Sequence, residues 1–243
     1  MILLLFKKIM QLAEAQAVDC IGVAPLVKYR EELRPFCGKV IEDFPRALSI
    51  GIALQGTIVD LLADRDCYEN VLQYKTHAYT VINNRLDNFS SLAASIIQQH
   101  GYRAMPLPAA ERIDSNRICA SLPHKAAAYL AGLGWIGKSC LFIHPSYGPR
   151  VRWTTVLTDA PFKENETLQS VRCGSCHQCV DACPAKALTG RNFVPSEPRS
   201  ARFDVARCEQ YFQELNNPQQ LSVCGMCLYA CPYGKGRTTH HKG

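Results

Sequence analysis

Eight cysteines crowd the stretch from 173 to 231, and their spacing restricts the fold more than any other feature of the chain. The first four read Cys173-x2-Cys176-x2-Cys179-x3-Cys183-Pro184. Two-residue gaps carry successive thiolates around one inorganic core, and the proline then turns the chain away. This is the spacing of a bacterial two-cluster ferredoxin, in which the fourth cysteine serves the other cluster. Downstream lie Cys224-x2-Cys227-x3-Cys231-Pro232, one cysteine short, and Cys208 precedes that run by 16 residues. Two interleaved [4Fe–4S] clusters account for all eight. Cluster one takes Cys173, Cys176, Cys179 and Cys231; cluster two takes Cys183, Cys208, Cys224 and Cys227. Zinc, which also binds Cys-x2-Cys pairs, is the alternative reading of the same residues.

Thirteen cysteines in a short secreted chain would suggest a disulfide scaffold, but here 243 residues, 47% of them hydrophobic, suffice for a substantial core. The other five, Cys20, Cys37, Cys67, Cys119 and Cys140, stand singly in apolar or helical contexts and read as small core residues. The apolar start, Met1 to Phe6, is cut short by Lys7 and Lys8, well below the roughly 20 residues of a membrane span. With no cleavage site after it, no signal peptide is expected. The expected setting is a reducing, anaerobic cytoplasm, with no membrane partner. The formal charge of +6 hints at an anionic partner. Two bound clusters with their thiolates would add about −4 and leave about +2, so basicity gives little support to nucleic-acid binding.

Hydrophobic periodicity predicts a helix over 2–17, a strand over 18–24, a helix over 27–36 and a strand over 47–54. An amphipathic stretch from Tyr68 to His100 is long for one globular helix and reads as one helix or two. Further strands are expected at 102–107, 140–144 and 151–158, and a helix at 123–131. The mixture implies an α/β (α+β) layered domain over 1–165. A polar segment then leads to the cysteine-bearing domain, 166–243, whose last dozen residues read as a mobile tail.

Gly132-Leu133-Gly134-Trp135-Ile136-Gly137-Lys138 matches G-x-G-x-x-G only formally, because a helix precedes it where a dinucleotide site needs a strand. That stretch, His144-Pro145 with Gly148, Leu157-Thr158-Asp159, Asp19-Cys20-Ile21-Gly22 near the start and the cysteine framework together resemble epoxyqueuosine reductases. The resemblance implies a nitroreductase-like N-terminal domain that holds base-off cobalamin and a ferredoxin module that reduces it, as in the related reductive dehalogenases. By the same resemblance Gly132, Gly134, Trp135, Gly137 and Lys138 would contact the cobalamin, and an external ferredoxin or flavodoxin would supply electrons.

The sequence departs from that family in two ways. Counting back from the glycine motif, the place of the family's proton-donating aspartate holds Ile118, which carries no proton. His124 and Cys119 are the neighbouring candidates to replace it. The helical-repeat region that typical members use to dock transfer RNA does not follow Cys231 here. The expected substrate is therefore a small molecule or a corrinoid-bearing protein, with transfer RNA doubtful. Arg150 and Arg152 are candidates to meet an anionic substrate.

Overall fold

The computed structural model describes residues 1–37, 41–110, 121–165, 168–215 and 221–235. Helix α1 (Ile2–Ala15) buries Leu5, Ile9 and Ala13, the stripe that four-residue spacing lays along one face. Strand β1 (Cys20–Pro25), helix α2 (Arg30–Cys37) and strand β2 (Arg46–Ala53) follow. The amphipathic stretch resolves into α4 (Tyr68–Lys75) and α5 (Ile82–Gln99), joined by a π-helical turn at Thr76–Val81 and preceded by the short α3 (Gly56–Asp60). Beyond it come β3 (Ala104–Leu107), α6 (His124–Leu130), β4 (Trp135–Ile136), β5 (Phe142–Ile143) and β6 (Val151–Thr158). Among its described residues the cysteine-bearing segment holds three short α-helices, α7 (Gln178–Asp181), α8 (Val205–Leu215) and α9 (Met226–Tyr229).

Four strands form one sheet in the order β1-β2-β6-β3. β1 runs antiparallel to β2 with Cys20 opposite Gly51, and β3 antiparallel to β6 with Ala104 opposite Thr158. The central strands β2 and β6 are buried at nearly every position, so both faces of the sheet are covered. Helix α6 packs on β1 and β2, where Ala127, Leu130 and Ala131 share a core with Ala24, Ala47 and Leu157. Helix α5 packs on β2 and β3 and against α1. The architecture is mixed α/β, as the element order implied.

Two compact units are interleaved along the chain. The first gathers Met1–Ala53, Val81–Gly134 and Arg152–Gln169; the second gathers Leu54–Thr80, Trp135–Val151 and the residues from Ser170 on. Composition suggested a single break at 165/166. The units differ from it because 54–80 and 135–151 pack with the cysteines, a long-range preference that local composition does not carry. The tail expectation also changes at its start. Pro232–Gly234 form a 3-10 turn whose Tyr233 ring meets Trp135 edge-on at 4.9 Å, while 236–243 lie outside the described residues. Among the described residues no helix is long and apolar enough to cross a membrane.

Candidate metal centre

Three of the eight cysteines ride on short helices, Cys179 on α7, Cys208 on α8 and Cys227 on α9, and α7 packs against α9. Cys183 is buried with Ala187 and Leu188 in a small apolar cluster that Cys179, Val180, Phe203, Cys208 and Cys227 border. The Ala187 amide points at the Cys183 sulfur from 3.4 Å. All eight thiols are free of disulfides.

Burial and neighbouring thiols raise the titration of several of them. Burial pushes the Cys231 thiol up to about 11, with Cys173 and Cys179 adding to the shift. Cys179 is raised by burial and then by Cys173 and Cys176. On the other side, burial followed by Cys224 and Cys183 pushes Cys208 up to about 11. Cys227 is raised by burial and by Cys224, Cys208 and Cys183, with a smaller effect from Cys179. Thus Cys231 neighbours the first run, and Cys183 neighbours the second. Among the described residues, no three His, Cys, Asp or Glu side chains close on a point suited to a single metal ion. Thiols gathered in apolar surroundings resist ionisation until a cationic core binds them, so the donor set fits polynuclear iron–sulfur cores.

The second unit also supplies the walls around these loops. Strands β4 and β5 pair as a small hairpin, with Trp135 opposite Ile143. A Cβ on Gly137 would stand 3.0 Å from Ile143 Cγ1 and 3.5 Å from the Cys173 sulfur. Lys138 is buried, and its ammonium donates to Gly174 O at 2.8 Å and Cys176 O at 3.1 Å. The Tyr233 hydroxyl donates to Arg172 O at 2.8 Å, and the Arg172 guanidinium lies 5.5 Å above Trp135. From the 54–80 segment, Leu62 and Tyr74 press on Gly225 in the second cysteine loop. Arg65 Nη1 donates to the Cys224 sulfur at 3.2 Å. Arg150, a candidate for anionic substrate, is instead buried and paired with Asp60 Oδ1 at 2.7 Å.

The residues expected to contact cobalamin are thus divided. Trp135, Gly137 and Lys138 are packed beside the cysteine loops, through Tyr233, Cys173, Gly174 and Cys176. Gly134 is buried. Gly132, with φ of +70°, borders an open cavity of about 700 Å³ in the first unit, beside Arg46, Lys163, Glu164 and Asn165. His124 starts α6, with Nδ1 2.8 Å from the Thr155 hydroxyl and Nε2 2.9 Å from Pro108 O. The carbonyl can only accept, so Nε2 carries the proton and Nδ1 accepts from Thr155. Desolvation holds the ring below its ordinary titration range. Releasing a proton from Nε2 requires breaking the Pro108 bond. Cys119 and Ile118 lie outside the described residues. Arg152 Nε donates to Asn83 Oδ1 at 3.0 Å. Cys20 and Cys140 are buried, in keeping with core roles, while Cys67 is partly exposed and donates to Glu69. Arg65 and Leu62 carried no local sequence signal, and Tyr74 only that of an amphipathic helix; the fold brings all three to the cysteines.

Residues 172–234 match the family model of the 4Fe-4S double cluster binding domain. An epoxyqueuosine reductase of Listeria monocytogenes is 38% identical over 134 residues, covering 53% of this chain and 34% of that protein. A tetrachloroethene reductive dehalogenase of Sulfurospirillum multivorans is 28% identical over 171 residues, covering 66% of this chain and 31% of that protein. The chain is similar to epoxyqueuosine reductases and to a reductive dehalogenase, and its residues 172–234 match a 4Fe-4S double cluster binding domain. It spans about a third of the length of these curated relatives. A solved reductive dehalogenase, described for B12-dependent dehalogenation, shares the fold with a TM-score of 0.65 at 20% identity, covering 93% of this chain and 31% of that one.

Proposed function

We propose that this chain is an iron–sulfur oxidoreductase in which two [4Fe–4S] clusters pass electrons to a corrinoid that reduces a small substrate. The observation that carries the reading is the match of residues 172–234 to a 4Fe-4S double cluster binding domain, with Cys179, Cys183, Cys208 and Cys227 gathered at one small apolar cluster. Residues 166–243 would form the ligand-bearing domain and 1–165 a nitroreductase-like one. Bound there, the clusters supply one-electron transfer at low potential. The protein's own part is to hold eight thiolates, to keep water from the buried ones, and to brace the loops through Lys138 and Tyr233. The support for a corrinoid is kinship with a B12-dependent dehalogenase and the open cavity beside Gly132. The setting is a reducing cytoplasm, and the electron donor is a ferredoxin or flavodoxin.

A second reading is an electron-transfer protein or corrinoid carrier without turnover of its own. It is favoured by Ile118 at the place of the family's acid and by the engagement of both His124 nitrogens. The two separate in one series of measurements. Anaerobic purification and iron and sulfide analysis come first; colourless protein containing zinc refutes both readings. Cobalamin is then added and its spectrum followed. Base-off binding with turnover of a halogenated or epoxide-bearing small molecule, or of an epoxyqueuosine-bearing transfer-RNA stem loop, supports the enzyme. Binding without turnover supports the carrier, and no binding leaves electron transfer alone.

A further inference from the structure

We propose that Arg65 sets the reduction potential of the cluster assigned to Cys183, Cys208, Cys224 and Cys227. The proposal rests on the cluster reading above but concerns a residue with no part in it. Arg65 closes the 3-10 turn Leu61–Asp64, and its Nη1 donates to the Cys224 sulfur at 3.2 Å. Its guanidinium also lies 5.7 Å from the centre of the Tyr211 ring. Tyr211 and Cys208 share α8 one helical turn apart, so the cation is tethered to two of the elements that carry this ligand set.

An N–H donor and a fixed positive charge at a ligand sulfur stabilise the reduced state of a cluster more than the oxidised state, because reduction adds negative charge to the core and its sulfurs. Lys138, beside the first set, donates to the carbonyls of Gly174 and Cys176. Arg65 therefore raises the potential of the second cluster.

The test is a redox titration of the anaerobically reconstituted full chain, followed by electron paramagnetic resonance, in the wild type and in Arg65→Met, Arg65→Gln and Arg65→Lys. Iron and sulfide are measured first. Absence of iron from the wild type overturns the cluster reading itself, and Arg65 with it. With both clusters loaded, Arg65→Met is expected to move one of the two couples to lower potential and leave the other in place. The expected change is at least threefold in the oxidised-to-reduced ratio at fixed potential, or about 28 mV at 59 mV per tenfold for one electron. Arg65→Gln, which keeps an N–H but not the charge, is expected to fall between Arg65→Lys and Arg65→Met. Unmoved couples in fully loaded variants refute the proposal. So does loss of the second cluster's iron from every variant, including Arg65→Lys, because Arg65 would then be needed for structure alone.

Discussion

Gly174 and Gly225 occupy equivalent places, each following the first cysteine of its loop, and both adopt the left-handed backbone, φ +51° and φ +75°. They differ in what surrounds them. A Cβ on Gly174 would meet nothing within 4 Å, whereas one on Gly225 would stand 2.7 Å from Leu62 Cδ1 and 2.9 Å from the Tyr74 hydroxyl. Leu62 and Tyr74 are both fully or almost fully buried, so neither can swing aside freely. Gly174→Ala is therefore expected to cost only the left-handed penalty, about 1–2 kcal/mol. Gly225→Ala adds an overpacking cost of about 1–3 kcal/mol, for a total of about 2–5 kcal/mol. Urea unfolding under anaerobic conditions, followed through cluster absorbance, separates the two. At about 2–3 kcal/mol/M, the difference moves the midpoint by roughly 0.3–1.5 M. Equal midpoints for the two variants would refute the packing of the 54–80 segment on the second cysteine loop.

Lys138→Met leaves the carbonyls of Gly174 and Cys176 without their buried donor, at a cost of about 1–3 kcal/mol. Faster iron release to a chelator, confined to one of the two clusters, is the expected result. Asp60→Ala strands the buried Arg150 guanidinium; because the aspartate is partly exposed, the expected loss is about 1.5–3 kcal/mol, read from thermal or urea unfolding. His124 titrates lower in the folded chain than in the unfolded one, chiefly through desolvation. Below the ordinary histidine range the unfolded chain takes up the extra proton, so stability is full above about pH 7 and falls as pH drops through about 6.5, by at most about 1.4 kcal/mol per pH unit. Urea midpoints measured across that range should show a shallower decline in His124→Asn than in the wild type.

Secondary structure was legible wherever burial imposes a short period. The stripe of α1, the apolar run of β2 and the strand β6 all stood out in the sequence. The long amphipathic stretch left one helix or two open, since a π turn at Thr76–Val81 disturbs its period without breaking it. The strand expected over 140–144 shrank to Phe142–Ile143, because Cys140 sits at φ +59° in the turn of a hairpin whose other strand, Trp135–Ile136, is too short for any period. The cysteine framework was legible because ligand spacing is a local property. Its surroundings were not. That Lys138 donates to the carbonyls of Gly174 and Cys176 had no signal, since a sequence gives a lysine's charge but not the carbonyls it will find. Arg65 reaches Cys224 across 159 positions and gave no signal at all.

The interleaving of the second unit also governs how the protein can be made. Leu62 and Tyr74 are buried in the finished chain but leave the ribosome well before the cysteine loop that helps to cover them exists. The nascent protein must carry these apolar surfaces in the open while more than a hundred further residues are added, a delay that invites aggregation and chaperone capture. A cassette cut out at 166–243 meets the opposite difficulty. It would keep every thiolate and lose Lys138, Leu62, Tyr74 and Arg65. Grafted onto another scaffold, such a fragment is expected to take up iron and then release it, because the parts that seal its loops are encoded upstream.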